Sequence, residues 1–225
     1  MKNNNEITTI YLVRHCQALG NENGTVQGIT DNPITQKGAF QLECLANEMA
    51  SYKIDKIYSS GLKRAIDTAQ CIAEKINEKV IIDNSITEIN FGLMENKLWS
   101  DIPKLFPKEY NDWVYKMYEM EPPQGEKMLD VYKRMQNAIL KIVQENRGKT
   151  IVISSHGCAI RNYLCFAMFG TIEKIYDVPW QENTAISKIE FDDLTPKVVY
   201  AGRCTHLSDD QKTIFNQNWQ KKQKM

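Results

Sequence analysis

The chain is short of several features that would have set its class at once. Charge of one sign is missing, since 28 basic residues balance 28 acidic ones over 225 positions. A balanced chain exerts no global pull on nucleic acid or an anionic membrane, so any anion affinity has to come from a local cluster. Long apolar runs are missing too: none could span a bilayer, and the polar start MKNNNEITT lacks the apolar core of a signal peptide. The expectation is a cytoplasmic protein that binds neither membrane nor nucleic acid. The six cysteines contain no CxxC pair and no regular spacing. That favours small buried thiols over a disulfide framework. No internal repeat is present, and biased composition is confined to the Asn-rich start and the Lys/Gln-rich end.

What remains is ordinary globular material, 42% apolar and 25% charged. A chain of this length can bury roughly 70% of its unfolded surface without disulfide or metal staples. Ile7 to Arg14 reads as a buried strand, because Ile10, Tyr11, Leu12 and Val13 form a continuous β-prone run. A loop rich in glycine and asparagine follows, and Thr35 is placed to cap a helix with Leu42, Leu45, Ala46 and Met49 on one face. Asp55 to Ser59 reads as a second strand. Leu62, Ala65, Ile66, Ala69, Ile72, Ala73 and Ile76 then repeat with helical period. Val80 to Asp83 is a third strand leading to Glu88.

Residues 93–125 mix Trp99, Phe106, Tyr110, Trp113, Tyr115 and Tyr118 with prolines and read as a cap or insertion. Its aromatics are expected mainly as local core, with one or two facing a pocket. Glu126 to Asn146 is expected as a helix burying Leu129, Tyr132, Met135, Ile139, Ile142 and Val143, with Gly148 as its terminator. Thr150 to Ser155 (TIVISS) reads as a buried strand followed by a helix after Gly157, and Ala185 to Phe191 with Lys197 to Tyr200 as a closing pair. The alternation predicts an α/β sandwich with a mainly parallel sheet. Residues 1–207 are expected to form one domain including the cap, and 208–225 a polar tail.

The reactive residues converge on this scheme. Arg14 and His15 end the first strand, Arg64 opens the helix after the second, Glu88 follows the third, and His156 ends TIVISS. In open α/β sheets ligands bind at this carboxyl edge. Two arginines offer forked donors suited to a phosphoryl group, and helix N-termini add backbone donors. One imidazole can attack phosphorus while the cations take up transition-state charge. Glu88 can protonate the leaving oxygen and later activate water, and Glu95 is the competing carboxylate. This inventory suffices for phosphoryl transfer through a phosphohistidine with no metal and no cofactor.

RHCQALGN, GITDNPITQKG, SSGLKRAIDTA, EINFG and SSHG, in that order, resemble the histidine phosphatase superfamily, which includes the cofactor-dependent phosphoglycerate mutases. The resemblance covers residues 10–207. It implies a three-layer αβα sandwich, with His15 as the phosphorylated nucleophile and Glu88 as proton donor. It also implies a phosphate pocket of Arg14, Arg64 and His156, supported by Asn21. Two departures stand out. Cys16 replaces the glycine usual after the nucleophile, with the prospect of a narrowed pocket or a redox-sensitive atom, and Asn96 replaces a glycine in FGLMEN.

The same residues admit other readings. A cysteine-dependent phosphatase would carry C-x5-R, and no cysteine has arginine at that offset. Cys16 and Cys158 are expected as pocket-wall residues. A zinc site from His15, His156 and these thiols is opposed by the flanking arginines. His206, in THL, resembles a tail motif of some family phosphatases or serves structure. The mutases carry an ERHYG-type stretch where this chain has EINFG, so the resemblance favours a phosphatase acting on a small phosphorylated substrate. The alternatives are a mutase primed by 2,3-bisphosphoglycerate, or a weakly active phospholigand-binding module with Cys16 blocking the pocket. Nothing in the sequence sets the oligomeric state; a homodimer is compatible with it.

Overall fold

The computed structural model describes residues 7–214; residues 1–6 and 215–225, most of the polar start and of the Lys/Gln-rich end, lie outside it. In chain order it runs β1 (Thr8–Arg14), α1 (Leu19–Glu22), α2 (Gln36–Met49), β2 (Lys56–Ser59), α3 (Lys63–Ile76) and β3 (Val80–Ile82). It continues with α4 (Ile102–Leu105), α5 (Pro107–Tyr115), α6 (Met128–Glu145), β4 (Thr150–Ser155), α7 (Gly157–Phe169), β5 (Ile186–Asp192) and β6 (Thr195–Arg203). The strands form one sheet in the order β3-β2-β4-β1-β5-β6. β1 to β4 pair in parallel, whereas β5 and β6 close one edge antiparallel.

Side chains alternate across each strand, and the two faces carry separate cores. Ile10, Leu12, Ile151 and Ile153 pack with α6 and α7, while Val13, Ile57 and Val152 pack with α2 and α3. Fully burying each such side chain contributes about 1.5–3 kcal/mol. Helices therefore cover both faces, and the molecule is the expected three-layer αβα sandwich.

Local signals place the elements. Thr35 caps α2, its hydroxyl accepting from Gly38 N–H at 3.0 Å, a contact worth about 1 kcal/mol. Gly148 adopts φ +71° in the turn between α6 and β4, two positions beyond the cap at Asn146. One residue of the expected inner face of α6 is misplaced: Leu129 is 39% exposed. The buried seam runs Met128, Val131, Met135, Ala138 and Ile142, and Leu129 falls a full step off it.

α4, α5 and a 3-10 turn at Met117–Glu119 lie within the expected cap. Trp113, Met117 and Met120 from this stretch join the same core as α6 and α7. Residues 208–214 pack back on the body: Gln41 Nε2 donates to Gln211 O at 2.9 Å and Ile214 N–H to Glu182 at 2.8 Å. Among the described residues no helix is long and apolar enough to cross a membrane.

Candidate active site

β1 and β4 are neighbours, yet the helices that follow them lie on opposite faces of the sheet. Between such strands the connections diverge and leave a crevice at the carboxyl edge. Arg14 and His15 leave β1 there, and His156 leaves β4. The crevice opens into a cleft of about 500 Å³ including its mouth, lined by Arg14, His15, Asn21, Gln27, Glu88, Gly157 and Cys158, among others.

His15 is buried, and its Nδ1 sits 2.6 Å from the carbonyl of Cys16. A carbonyl can only accept, so Nδ1 carries the proton and Nε2 is left with its lone pair. Burial, then the charges of Arg64 and Arg14, hold the imidazole well below its ordinary pKa, so it is neutral at physiological pH. The backbone around it is pinned. Its N–H donates to Ser155 O at 2.9 Å, and its carbonyl accepts from Asn183 Nδ2, also at 2.9 Å.

Around His15 three buried polar atoms have no protein partner: Arg14 Nε, Arg64 Nε and His156 Nδ1. Orphaned buried donors are costly, and their coincidence marks a place built for an anion. Arg14 is fixed by Nη1 donating to Gln181 O at 2.7 Å. Arg64, at the start of α3, donates from Nη1 to Thr30 O at 2.8 Å and from Nη2 to Gly28 O at 2.6 Å, and burial brings its pKa down to about 10. His156 Nε2 lies 2.6 Å from Ser60 Oγ. If the hydroxyl donates there, Nδ1 carries the proton; His156 and Arg64 are both fully buried beside the cleft rather than part of its lining. The two imidazole rings are 5.2 Å apart, centre to centre.

Glu88 is buried and sits on the N-terminus of α7, accepting from Cys158 N–H at 3.0 Å and Ala159 N–H at 2.9 Å. Burial nevertheless pushes its carboxyl above the ordinary value, outweighing these bonds and the pull of Arg64. Glu95, the competing carboxylate, is spent elsewhere: it accepts from the N–H groups of Gly28, Ile29, Thr30 and Phe91 and from the Thr30 hydroxyl. Asn21 lines the cleft, its Oδ1 occupied by Ala18 N–H at 3.1 Å, which leaves its amide N–H groups to offer.

Cys16 was expected on the pocket wall and is not there. It is fully buried outside the cleft lining, its N–H donating to Thr68 Oγ1 at 3.0 Å, and burial raises its thiol to about 12. Its side chain sits against α3, beside Thr68 and Cys71. Cys16 therefore neither narrows the pocket nor offers a thiolate. Cys158 does line the cleft, also with a thiol well above its ordinary pKa through burial. The cysteines divide between the two burial states: Cys16, Cys158 and Cys165 are buried, while Cys44, Cys71 and Cys204 are only partly so. Among the described residues no group of three or more His, Cys, Asp or Glu side chains is placed to hold a metal ion. His206 pairs with the Thr184 hydroxyl at 3.1 Å and does not line the cleft.

Sequence reasoning missed Gln27 and Trp180. The amide nitrogen and oxygen of Gln27 are both buried without a protein partner at the cleft wall. A Cβ on Gly20 would collide with that amide, so glycine there makes room for it. Trp180, Trp99, Trp113 and Phe91 also line the cleft.

With this geometry in hand, comparison with known proteins decides the family. The model of the histidine phosphatase superfamily (branch 1) matches residues 10–202. The chain belongs to that superfamily. It is 28% identical to phosphoserine phosphatase 1 of Hydrogenobacter thermophilus, covering 89% of this chain and 94% of the relative. Against the probable phosphoglycerate mutase GpmB of Escherichia fergusonii it is 32% identical, covering 67% of this chain and 70% of the relative. The structure of Bacillus stearothermophilus YhfR superposes with a TM-score of 0.85 at 26% identity, covering 89% of this chain and all of the other.

Proposed function

We propose that this histidine phosphatase hydrolyses a small phosphorylated metabolite through a phosphohistidine on His15, with no metal and no cofactor. The observation that carries the reading is the tautomer of His15, with Nδ1 donating to Cys16 O and Nε2 unprotonated beside three orphaned donors. In the first step Nε2 forms a bond to phosphorus while the P–O bond to the leaving group breaks. Glu88 gives its proton to the departing oxygen, which leaves as an alcohol. Arg14, Arg64 and His156 hold the non-bridging oxygens, where charge is concentrated in transfer. In the second step water attacks phosphorus, its proton passes to the Glu88 carboxylate, the P–N bond breaks, and His15 returns with inorganic phosphate. The relatives named phosphoserine phosphatases support hydrolysis over isomerisation.

The test is to incubate the protein with an aryl phosphate and with 3-phosphoglycerate, each with and without 2,3-bisphosphoglycerate and a chelator. The expected result is phosphate release that needs no primer and survives the chelator. Primer-dependent isomerisation of 3-phosphoglycerate would replace this reading with the mutase, and loss of activity to the chelator would refute the metal-free step.

A further inference from the structure

The cleft has two chemically different ends. The arginine, histidine and carboxyl side chains in its lining, Arg14, His15 and Glu88, all belong to the phosphate end. The remainder of the lining is Gly20, Gly24, Thr25, Gln27, Phe91, Trp99, Trp113 and Trp180, with Asn21, Gly157 and Cys158 at the junction. The rings form one connected surface. Trp113 and Trp180 stack at 5.6 Å with an interplanar angle of 28°, Trp99 and Trp113 meet at 5.0 Å, and Phe91 is 5.9 Å from both Trp99 and Trp113.

A cation does lie behind this wall, but it faces away. The Arg161 guanidinium rests 4.2 Å from the Trp180 ring centre, donates to Val178 O and Met117 Sδ, and does not line the cleft. A carboxylate or second phosphate on the leaving group would therefore be desolvated against indole and phenyl faces, with no cation at that end of the lining among the described residues to meet it. A flat apolar face would instead lie on the rings. Gln27 adds one donor group and one acceptor, which suits a neutral hydroxyl or amide better than an anion.

We propose that the leaving group is an uncharged alcohol carrying a planar or broad apolar face, such as an aromatic or heteroaromatic ring, and not a carboxylate-bearing alcohol. This rests on the phosphatase reading above. It sets the chain apart in substrate class from the phosphoserine phosphatases it is similar to.

The test compares substrates whose leaving groups are all primary alcohols: benzyl phosphate, ethyl phosphate and O-phosphoserine. Matching the alcohols keeps intrinsic reactivity from deciding the order. The expected order of kcat/KM is benzyl above ethyl above phosphoserine, with benzyl ahead of phosphoserine by about 100-fold. Trp99→Ala should narrow the benzyl-to-ethyl ratio about tenfold. Thr25→Lys, which sets an ammonium group at the wall, should raise phosphoserine relative to benzyl phosphate. Phosphoserine equal to or faster than benzyl phosphate in the wild type would overturn the proposal, whether or not Trp180 swings off Arg161 to allow it. Ratios unchanged in both variants would overturn it as well. Absence of turnover on all three substrates is a different failure, and it falls on the phosphatase reading itself.

Discussion

His15 and His156 owe their neutrality to burial and to the two arginines beside them, and that neutrality has a cost that pH can reveal. Both imidazoles sit well below their ordinary pKa in the folded chain. A depressed pKa contributes stability that is present above the unfolded value of about 6.5 and lost as pH falls, because the unfolded chain takes up protons that the folded one refuses. Glu88 runs the opposite way: its raised pKa contributes stability that is lost as pH rises through the folded value. Two imidazoles against one carboxyl leave a net loss on acidification. Below pH 6.5 the ligand-free protein should lose on the order of 1 kcal/mol per pH unit. Denaturant titrations at pH 7.5, 6.5 and 5.5 measure it, and His15→Ala should flatten the slope. Stability that holds or rises toward pH 5.5 would contradict the assignment of neutral buried imidazoles.

The same residue scale explains one departure from the family pattern. Asn96 adopts φ +64°, a left-handed conformation that glycine adopts freely and asparagine tolerates better than other side chains. Asparagine can thus stand where the family has glycine without changing the turn. Cys16 has no such account from sequence, because the direction of a side chain just past a strand end depends on the path of the chain beyond it.

At the scale of elements, the loop at residues 28–30 connects two parts of the site. Its carbonyls at Gly28 and Thr30 hold Arg64, and its N–H groups converge on Glu95. Gly28 is required by close approach, since a Cβ there would strike Ile89 O and the Glu95 carboxylate. Glu95 is thereby a positioning residue acting through the loop on Arg64. Glu95→Ala should weaken binding of inorganic phosphate about tenfold, in line with the loss of charge-assisted bonds that hold the loop. It should raise KM more than it lowers kcat, as isothermal titration and steady-state kinetics would show. An unchanged phosphate affinity would mean that the loop holds its shape without Glu95.

Strand ends and helix starts were legible because their signals are local: Arg14, His15 and His156 lie directly after apolar β-prone runs, and Arg64 directly before a helical repeat. Leu129 was misread because it borders a seam whose phase is set by Met128, a residue the period alone does not single out.

At the scale of the whole molecule, the site lies where β1 and β4 send their helices to opposite faces. The alternation of strands and helices made the layers readable, whereas the insertion of β4 between β1 and β2 comes from long-range pairing that no local pattern encodes. The same distance hid several supports. Gln181 and Asn183 meet Arg14 and His15 across more than 160 residues of chain. Residues 213–214 in turn tie down Glu182 beside them. Trp180 and Gln27 were missed for a related reason, since neither carries a motif and each acquires its role only when the cleft is assembled. The fold thus brings five dispersed ionisable groups to one crevice, and the account stands or falls on what His15 does there.

The most direct measurement is rapid-quench trapping of the protein mixed with a ³²P-labelled aryl phosphate in the presence of a chelator. The expected result is an acid-labile, base-stable phosphoenzyme that forms before steady-state phosphate release and is absent in His15→Ala. Steady-state turnover with no such intermediate, or label that persists in His15→Ala, would contradict the account.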